Sequence, residues 1–199
     1  MLKIGLILLA AGQAKRMGSP KQLLEFNGVP MLRLATESAL ASLCHPITIV
    51  TGANAKAVSE VLANLPVNII YNRDWEQGIG TSIRIGINSL LDYNVDAAIV
   101  ALADQPLLTT VTFDRLVESY QLHQLPIVAS QYHDTLGVPA LFERSLFPRL
   151  LDLPPDKGCK NLIMTYPKER VDRCPCPEAG IDIDTPDDYE RLVSEHAQA

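Results

Sequence analysis

The chain reads as an α/β protein, a mostly parallel central sheet with helices packed on both faces in three layers. Two observations predict this. Short apolar runs rich in Ile, Val, Leu and Ala alternate with stretches whose apolar residues recur every three or four positions. The apolar runs show little polar alternation, as expected of strands covered on both faces.

The elements follow in order. Residues 4–10 form a first strand that runs into a glycine-containing loop reaching Lys21. Residues 31–43 have helical spacing, with Leu32, Leu34, Ala35, Ala39 and Leu43 largely on one side. A strand is predicted over 47–51, a helix over 53–65 and a third strand over 67–71. A helix follows over 80–91, with Ile83, Ile87 and Leu90 as its stripe. Residues 97–103 are the most hydrophobic strand and are placed centrally. A helix over 110–123 and strands over 127–130 and 138–142, the last antiparallel, come next. The closing helix spans 185–195, with Asp184 or Thr185 as its cap and Pro186 at its first position. Pro154-Pro155 and Pro175-Cys176-Pro177 are read as rigid turns. With no linker or repeat in 199 residues, one domain over 1–199 is expected.

Composition narrows the function. A net charge of −6 with no Lys/Arg-rich run excludes duplex nucleic acid as an expected partner. The first apolar run is too short to span a bilayer and lacks a signal-peptide cleavage pattern, so no membrane association and a cytoplasmic location are expected. Cys44, Cys159, Cys174 and Cys176 are too sparse for a disulfide framework, and Cys174-Pro-Cys176 lacks the spacing of common zinc sites. His45, His123, His133 and His196 show no ligand spacing.

In a parallel sheet the ligand lies beyond the carboxyl ends of the strands. The first such segment is Leu9-Ala10-Ala11-Gly12-Gln13-Ala14-Lys15-Arg16-Met17-Gly18-Ser19-Pro20-Lys21. Its small residues let backbone amides approach a polyphosphate, and Arg16 and Lys21 add cations for the same phosphates. It is neither a Walker loop nor a dinucleotide fingerprint, since Ser19-Pro20 follows Gly18 and only two glycines occur, far apart. The alternative is an ordinary strand-to-helix loop with its charges in water.

Leu9-Ala-Ala-Gly-x-x-x-Arg16-Met-Gly-x-x-Lys21 resembles the signature loop of nucleotidyltransferases with the GT-A-like, Rossmann-type fold. More narrowly, it resembles that of the molybdenum cofactor cytidylyltransferase and MobA-like NTP transferase group. Three further segments resemble that group, in its order. Asn72-x-x-Trp75-x-x-Gly78-x-x-x-Ser82-x-x-x-Gly86 follows the third strand, and in related cytidylyltransferases this region helps hold the base. Gly78 and Gly80 permit close backbone approach there, and Thr81 or Ser82 offers a hydroxyl. Trp75 is read as packing. Asp104-Gln105-Pro106 ends the central strand and matches an Asp-x-Pro motif whose acid binds Mg²⁺, a cation that prefers carboxylate and phosphate oxygens; a turn or cap aspartate is the alternative.

Asp182-Ile183-Asp184-Thr185-Pro186 resembles the group's closing element. Asp182 and Asp184 alternate about Ile183 as on one side of a strand, and Asp184 is either a second metal carboxylate or the helix cap. Two segments depart from the group. In Gly137-Val138-Pro139-Ala140-Leu141-Phe142, which resembles the group's Gly-His-Pro-Val-Leu-Phe strand, Val138 replaces the usual His, and Pro155, Cys159 and Lys160 alter a Gly-Asp-x-Gly-Ala-Arg turn; both lie where an acceptor is expected. Lys160 keeps a charge but not the bidentate geometry of arginine.

The resemblance implies a magnesium-dependent nucleotidyltransferase. Leu9, Ala10, Ala11, Gly12, Arg16, Lys21, Gly78, Gly80, Thr81 and Ser82 would bind the nucleotide. Asp104 and Asp184 would hold the metal, and Arg16, Lys21 and Asp104 would carry the chemistry. It implies molybdopterin cofactor as acceptor, a molybdoenzyme as eventual recipient, and CTP over GTP, because Leu-Ala-Ala-Gly goes with CTP in this group. Two alternatives stay open: a cytidylyl- or sugar-1-phosphate nucleotidyltransferase with another acceptor, and a non-catalytic cofactor chaperone of the same fold.

Overall fold

A computed structural model describes residues 2–13, 20–183 and 185–196. Seven strands build one sheet: β1 (Ile4–Ala10), β4 (Ile47–Thr51), β5 (Asn68–Tyr71), β6 (Ala97–Leu102), β7 (Ile127–Tyr132), β8 (Thr135–Glu143) and β9 (Val171–Pro175). Two short strands, β2 (Glu25–Phe26) and β3 (Val29–Pro30), form a separate hairpin. The sheet order is β5-β4-β1-β6-β8-β7-β9. Pairs β5-β4, β4-β1, β1-β6 and β7-β9 are parallel, and β8 is antiparallel to both β6 and β7.

Alternation along each strand divides the core between the two faces. Leu6, Leu8 and Ala10 of β1 point to one side, where they meet α1 (Met31–Leu40), α2 (Ala55–Val61) and α4 (Thr110–His123) through Leu32, Ala35, Val58, Phe113 and Leu116. Ile7 and Leu9 point to the other, toward α3 (Ile79–Leu90), α5 (Phe147–Leu151) and α6 (Cys159–Thr165) through Ile83, Ile87, Phe147, Leu150 and Ile163. The expected α/β class and three layers are thus present, with β6 the middle strand of seven. Gly86 brings α3 onto the sheet: a Cβ there would lie 2.6 Å from the Ile7 side chain.

The sequence reading placed several ends too far out. The first helix stops at Leu40 rather than residue 43, and Leu43 is exposed. There Ser42 Oγ donates to the Ala39 carbonyl (2.6 Å) and accepts from the Cys44 amide (3.2 Å), turning the chain toward β4. Asn54, in the left-handed region at φ 60, delays the start of α2 until Ala55. The prolines at 175 and 177 were read as turn markers, yet Val171–Pro175 is an edge strand in parallel register with β7. Its central pair Asp172-Arg173 hides the strand pattern, and Pro175 falls at its end, where a missing donor is tolerated.

The last helix, α7 (Pro186–His196), starts at Pro186 as expected. Thr185 is its cap: the Asp188 amide donates to Thr185 Oγ1 (3.3 Å) while the Thr185 amide donates to Asp188 Oδ2 (2.9 Å). Leu192 packs with Met31 and Ile183 in a small third cluster, and Tyr189 Oη donates to the Glu25 carbonyl (2.6 Å), docking the helix on the β2-β3 hairpin.

Candidate functional site

Strand order reverses on either side of β1: the chain leaves it toward β4 and β5, then returns to β6. A crevice opens at such a switch point. A cavity of about 700 Å³ lies there, at the carboxyl ends of β1 and β6. Leu9, Ala11, Gly12 and Gln13 line it from β1, Lys21 and Gln22 from the loop's far end, and Leu102, Ala103 and Asp104 from β6. Trp75, Glu76, Gly78, Ile79 and Ser82, from the start of α3 and the turn before it, form the remaining wall.

Segments far apart in sequence meet here. The Ala103 amide donates to the Leu9 carbonyl (3.1 Å), and the Ala53 amide to the Ala11 carbonyl (3.1 Å), fixing the first residues of the glycine loop from both sides. Lys21 Nζ forms an ion pair with Asp104 Oδ2, both side chains mostly buried. Asp104 Oδ1 is buried with no hydrogen-bond partner among the described residues. The Ile183 amide donates to the Asp104 carbonyl (3.1 Å), so the segment that leads to Asp184 also arrives at this point.

Of the residues singled out from the sequence, Leu9, Ala11, Gly12, Lys21, Gly78, Ser82 and Asp104 line the one cavity. Arg16 and Asp184 lie outside the described residues. Ala10, Gly80 and Thr81 do not line that cavity. Ala10 is 1% exposed and points into the core, opposite to Leu9 and the cavity. Gly80 makes its close approach to the chain itself: its amide donates to the Pro155 carbonyl (2.9 Å), and a Cβ there would lie 2.2 Å from the Pro154 carbonyl oxygen. Gly78, at φ 128, packs on the same Pro154-Pro155 turn. The Thr81 hydroxyl is already committed, donating within reach of the Gly78 carbonyl (2.7 Å) and accepting from Asn72 Nδ2 (2.8 Å).

The strand expected about Ile183 is not formed over residues 181–183; Ile183 is buried and Asp182 exposed. With Thr185 capping α7, Asp184 is not required as the cap.

Buried Asn72 explains the conspicuous motif that begins with it. Its Nδ2 donates to Thr81 Oγ1 and to Ser82 Oγ (2.9 Å), and its Oδ1 accepts the Asp74 amide (2.9 Å). It therefore ties the end of β5 to the start of α3. Trp75 both packs and faces the cavity: a Cβ on Gly52 would lie 2.7 Å from its Cβ.

Two glutamines were not singled out. Gln22, 2% exposed, donates through Nε2 to the Gly12 carbonyl (2.8 Å) and the Ala10 carbonyl (3.3 Å). It thus grips the carbonyl side of the glycine loop. Gln105 does the same beside Asp104, with other partners. The available signal was adjacency, since each glutamine directly follows a charged site residue, Lys21 or Asp104.

Fold and cavity together define a nucleotidyltransferase, with a glycine loop and a strand-end acid facing one crevice. The chain belongs to the MobA-like NTP transferase family, whose domain matches residues 6–171. The nicotine blue oxidoreductase of Paenarthrobacter nicotinovorans is 34% identical over 197 residues, spanning 94% of this chain and 95% of that protein. The molybdenum cofactor cytidylyltransferase of Escherichia coli K12 is 26% identical over 190 residues, 95% of each. Among solved structures, that of Rv0371c from Mycobacterium tuberculosis H37Rv superposes with a TM-score of 0.82 at 27% identity, over 98% of this chain and 99% of that one. Its complex with manganese gives 0.80 at 26%, over 96% and 98%. Among the described residues no helix is long and apolar enough to cross a membrane.

Proposed function

We propose that the chain is a single-domain cytoplasmic cytidylyltransferase, residues 1–199, that transfers CMP from CTP to molybdopterin cofactor with release of pyrophosphate. The observation that carries this reading is the meeting of the glycine loop, Lys21 and the half-unpartnered carboxylate of Asp104 at one cavity.

The donor set fits Mg²⁺. A buried carboxylate oxygen without a partner suits a hard cation, and Mg²⁺ is commonly held by one or two carboxylates plus substrate phosphates. No group of three or more His, Cys, Asp or Glu side chains gathers among the described residues, so the phosphates would complete the shell. Asp104 is assigned as ligand, with Asp184 as the second. The manganese complex of Rv0371c supports a divalent cation in this fold. Held by Asp104 and Asp184, such an ion would supply charge neutralisation for the triphosphate.

The chain's own residues then do the positioning. The amides of Ala11 and Gly12 and the cations of Lys21 and Arg16 hold the triphosphate so that an acceptor phosphate oxygen attacks the α-phosphorus in line. Lys21 moves from Asp104 to the phosphates as the nucleotide arrives, and stabilises the departing pyrophosphate. CTP is favoured over GTP because the Ala11 methyl stands at the cavity wall, where it crowds a purine, and because a cytidylyltransferase is among the relatives. That relative's name also supports molybdopterin cofactor as acceptor.

The test is pyrophosphate release from CTP or GTP with Mg²⁺ and molybdopterin cofactor, using Asp104→Ala as control. Release with CTP, lost in the variant, is expected. Release with GTP instead would overturn the nucleotide assignment, and release only with other phosphorylated acceptors would overturn molybdopterin. The relative named as an oxidoreductase favours a second reading, in which the cavity serves a redox enzyme. Under it no nucleotide is cleaved with any acceptor.

A further inference from the structure

Gln105 follows Asp104 and is 1% exposed. Its Nε2 donates to the Val138 carbonyl on β8 (3.2 Å) and to the Ala179 carbonyl in the turn after β9 (2.7 Å). Two carbonyl acceptors settle the orientation of this amide: the NH₂ group must face them, and Oε1 must face away. Oε1 is then buried with no hydrogen-bond partner among the described residues. Such an orphaned acceptor is costly, and an apolar side chain of equal volume would fill the space without it. What glutamine supplies here, and an apolar residue would not, is two donors reaching two different elements from one point.

Those two elements converge on Asp104 from other directions as well. The turn holding Ala179 runs on to Ile183, whose amide donates to the Asp104 carbonyl (3.1 Å). Residues 104 and 105 are therefore tied to β8, to the 177–180 turn and to the segment approaching Asp184. The β1–β6 ladder ends with the Ala103 amide on the Leu9 carbonyl, and beyond it these bonds hold the backbone of residues 104 and 105.

We propose that Gln105 is a positioning residue for Asp104: by pinning the backbone that carries the carboxylate, it holds that carboxylate toward the bound cation. It touches no reacting atom. This rests on the reading of Asp104 as the cation ligand given above. Partners that orient a metal ligand typically account for 10–100-fold in metal affinity.

The test uses the full chain and Mn²⁺ as the probe, titrated by electron paramagnetic resonance with and without CTP. Wild-type protein is expected to bind Mn²⁺ saturably, and Asp104→Ala to lose that binding. Gln105→Met is expected to weaken it about tenfold or more, at a temperature where its circular dichroism matches wild type, with CTP affinity in the absence of metal unchanged. Gln105→Asn, one methylene too short to reach both carbonyls, is expected to fall between, and it carries the test if the Met variant does not fold. A purely structural role would lower thermal stability and leave the Mn²⁺ affinity of folded protein alone. Wild-type Mn²⁺ affinity in either folded variant therefore overturns the proposal. An Asp104→Ala variant that still binds Mn²⁺ normally would instead sink the ligand assignment, and this inference with it.

Discussion

Lys21 and Asp104, 83 positions apart in sequence, form an ion pair across the mouth of the cavity. One belongs to the loop after β1 and the other to the end of β6, so the pair bridges the switch point of the sheet. It occupies Asp104 Oδ2, while Oδ1 has no hydrogen-bond partner among the described residues. In the nucleotide-free protein the lysine thus competes with a cation for the carboxylate. Lys21→Met is expected to raise the affinity of the nucleotide-free chain for Mn²⁺ about tenfold, since a charge-assisted bond contributes roughly 1.5–3 kcal/mol. The same variant should lose most of its nucleotidyl transfer. Parallel titrations and assays check this, and unchanged Mn²⁺ affinity would show that the pair does not guard the carboxylate.

Gly80 sets the wall of the cavity by letting α3 meet the Pro154-Pro155 turn. Gly80→Ala would drive a methyl to 2.2 Å from the Pro154 carbonyl oxygen, which is backbone and yields little. Forced overpacking of this sort costs about 1–3 kcal/mol. The variant should melt several degrees lower, by calorimetry, and bind CTP more weakly because Gly78 and Ser82 move with the helix start. A wild-type melting temperature would show that the turn can retreat.

Asp172 joins β9 to α4. Burial pushes its carboxyl upward, but bonds from Ser119 and His123 (2.6 Å to Nδ1) and from the Arg173 amide outweigh that, and the net direction is downward from 3.8. A carboxyl lowered on folding contributes stability above its unfolded value, and this is lost as pH falls through the folded value. The wild-type chain should therefore lose more stability than Asp172→Asn between about pH 5 and pH 2, as followed by urea melts. Equal pH dependence in both would remove Asp172 from the acid-sensitive groups.

Cys44 and Cys159 are buried, and burial pushes both thiols up to about 12. At pH 8 the thiolate form is then on the order of one in ten thousand, and the thiolate is the reactive species. Both residues should resist iodoacetamide in native protein for hours and react at once in denaturant, as peptide mass mapping will show. Rapid native labelling at Cys159 would mean that α6 opens from the sheet.

The sequence made the sheet legible wherever strands are buried on both faces. Residues 4–10 and 97–102 carry no polar side chain, and 47–51 is broken only by the buried Thr48 and Thr51. The bounds expected for α4 from its amphipathic pattern, 110–123, are those of the structure, where Thr109 and Thr112 also cap its start with reciprocal bonds. The sequence did not reveal β9, whose two central residues are charged, nor the short helices α5 and α6, which are too brief to show a period. The candidate site was legible where chemistry and position coincide, at Lys21 and Asp104. Gly80 and Thr81 do not line the cavity, and the sequence does not show this, because a glycine that admits a ligand and one that admits a neighbouring turn look alike in it. Gln22 and Gln105 stayed hidden for a related reason: their partners are backbone carbonyls, which every sequence position supplies.

The most direct measurement is the fate of labelled phosphate. CTP carrying ³²P at either the α or the γ position is incubated with the chain, Mg²⁺ and molybdopterin cofactor, and products are separated by chromatography. The account requires the α label to appear in the pterin product and the γ label in pyrophosphate, with both transfers lost in Asp104→Ala. Release of the γ label as inorganic phosphate, or no movement of the α label with this or any other phosphorylated acceptor, would contradict it.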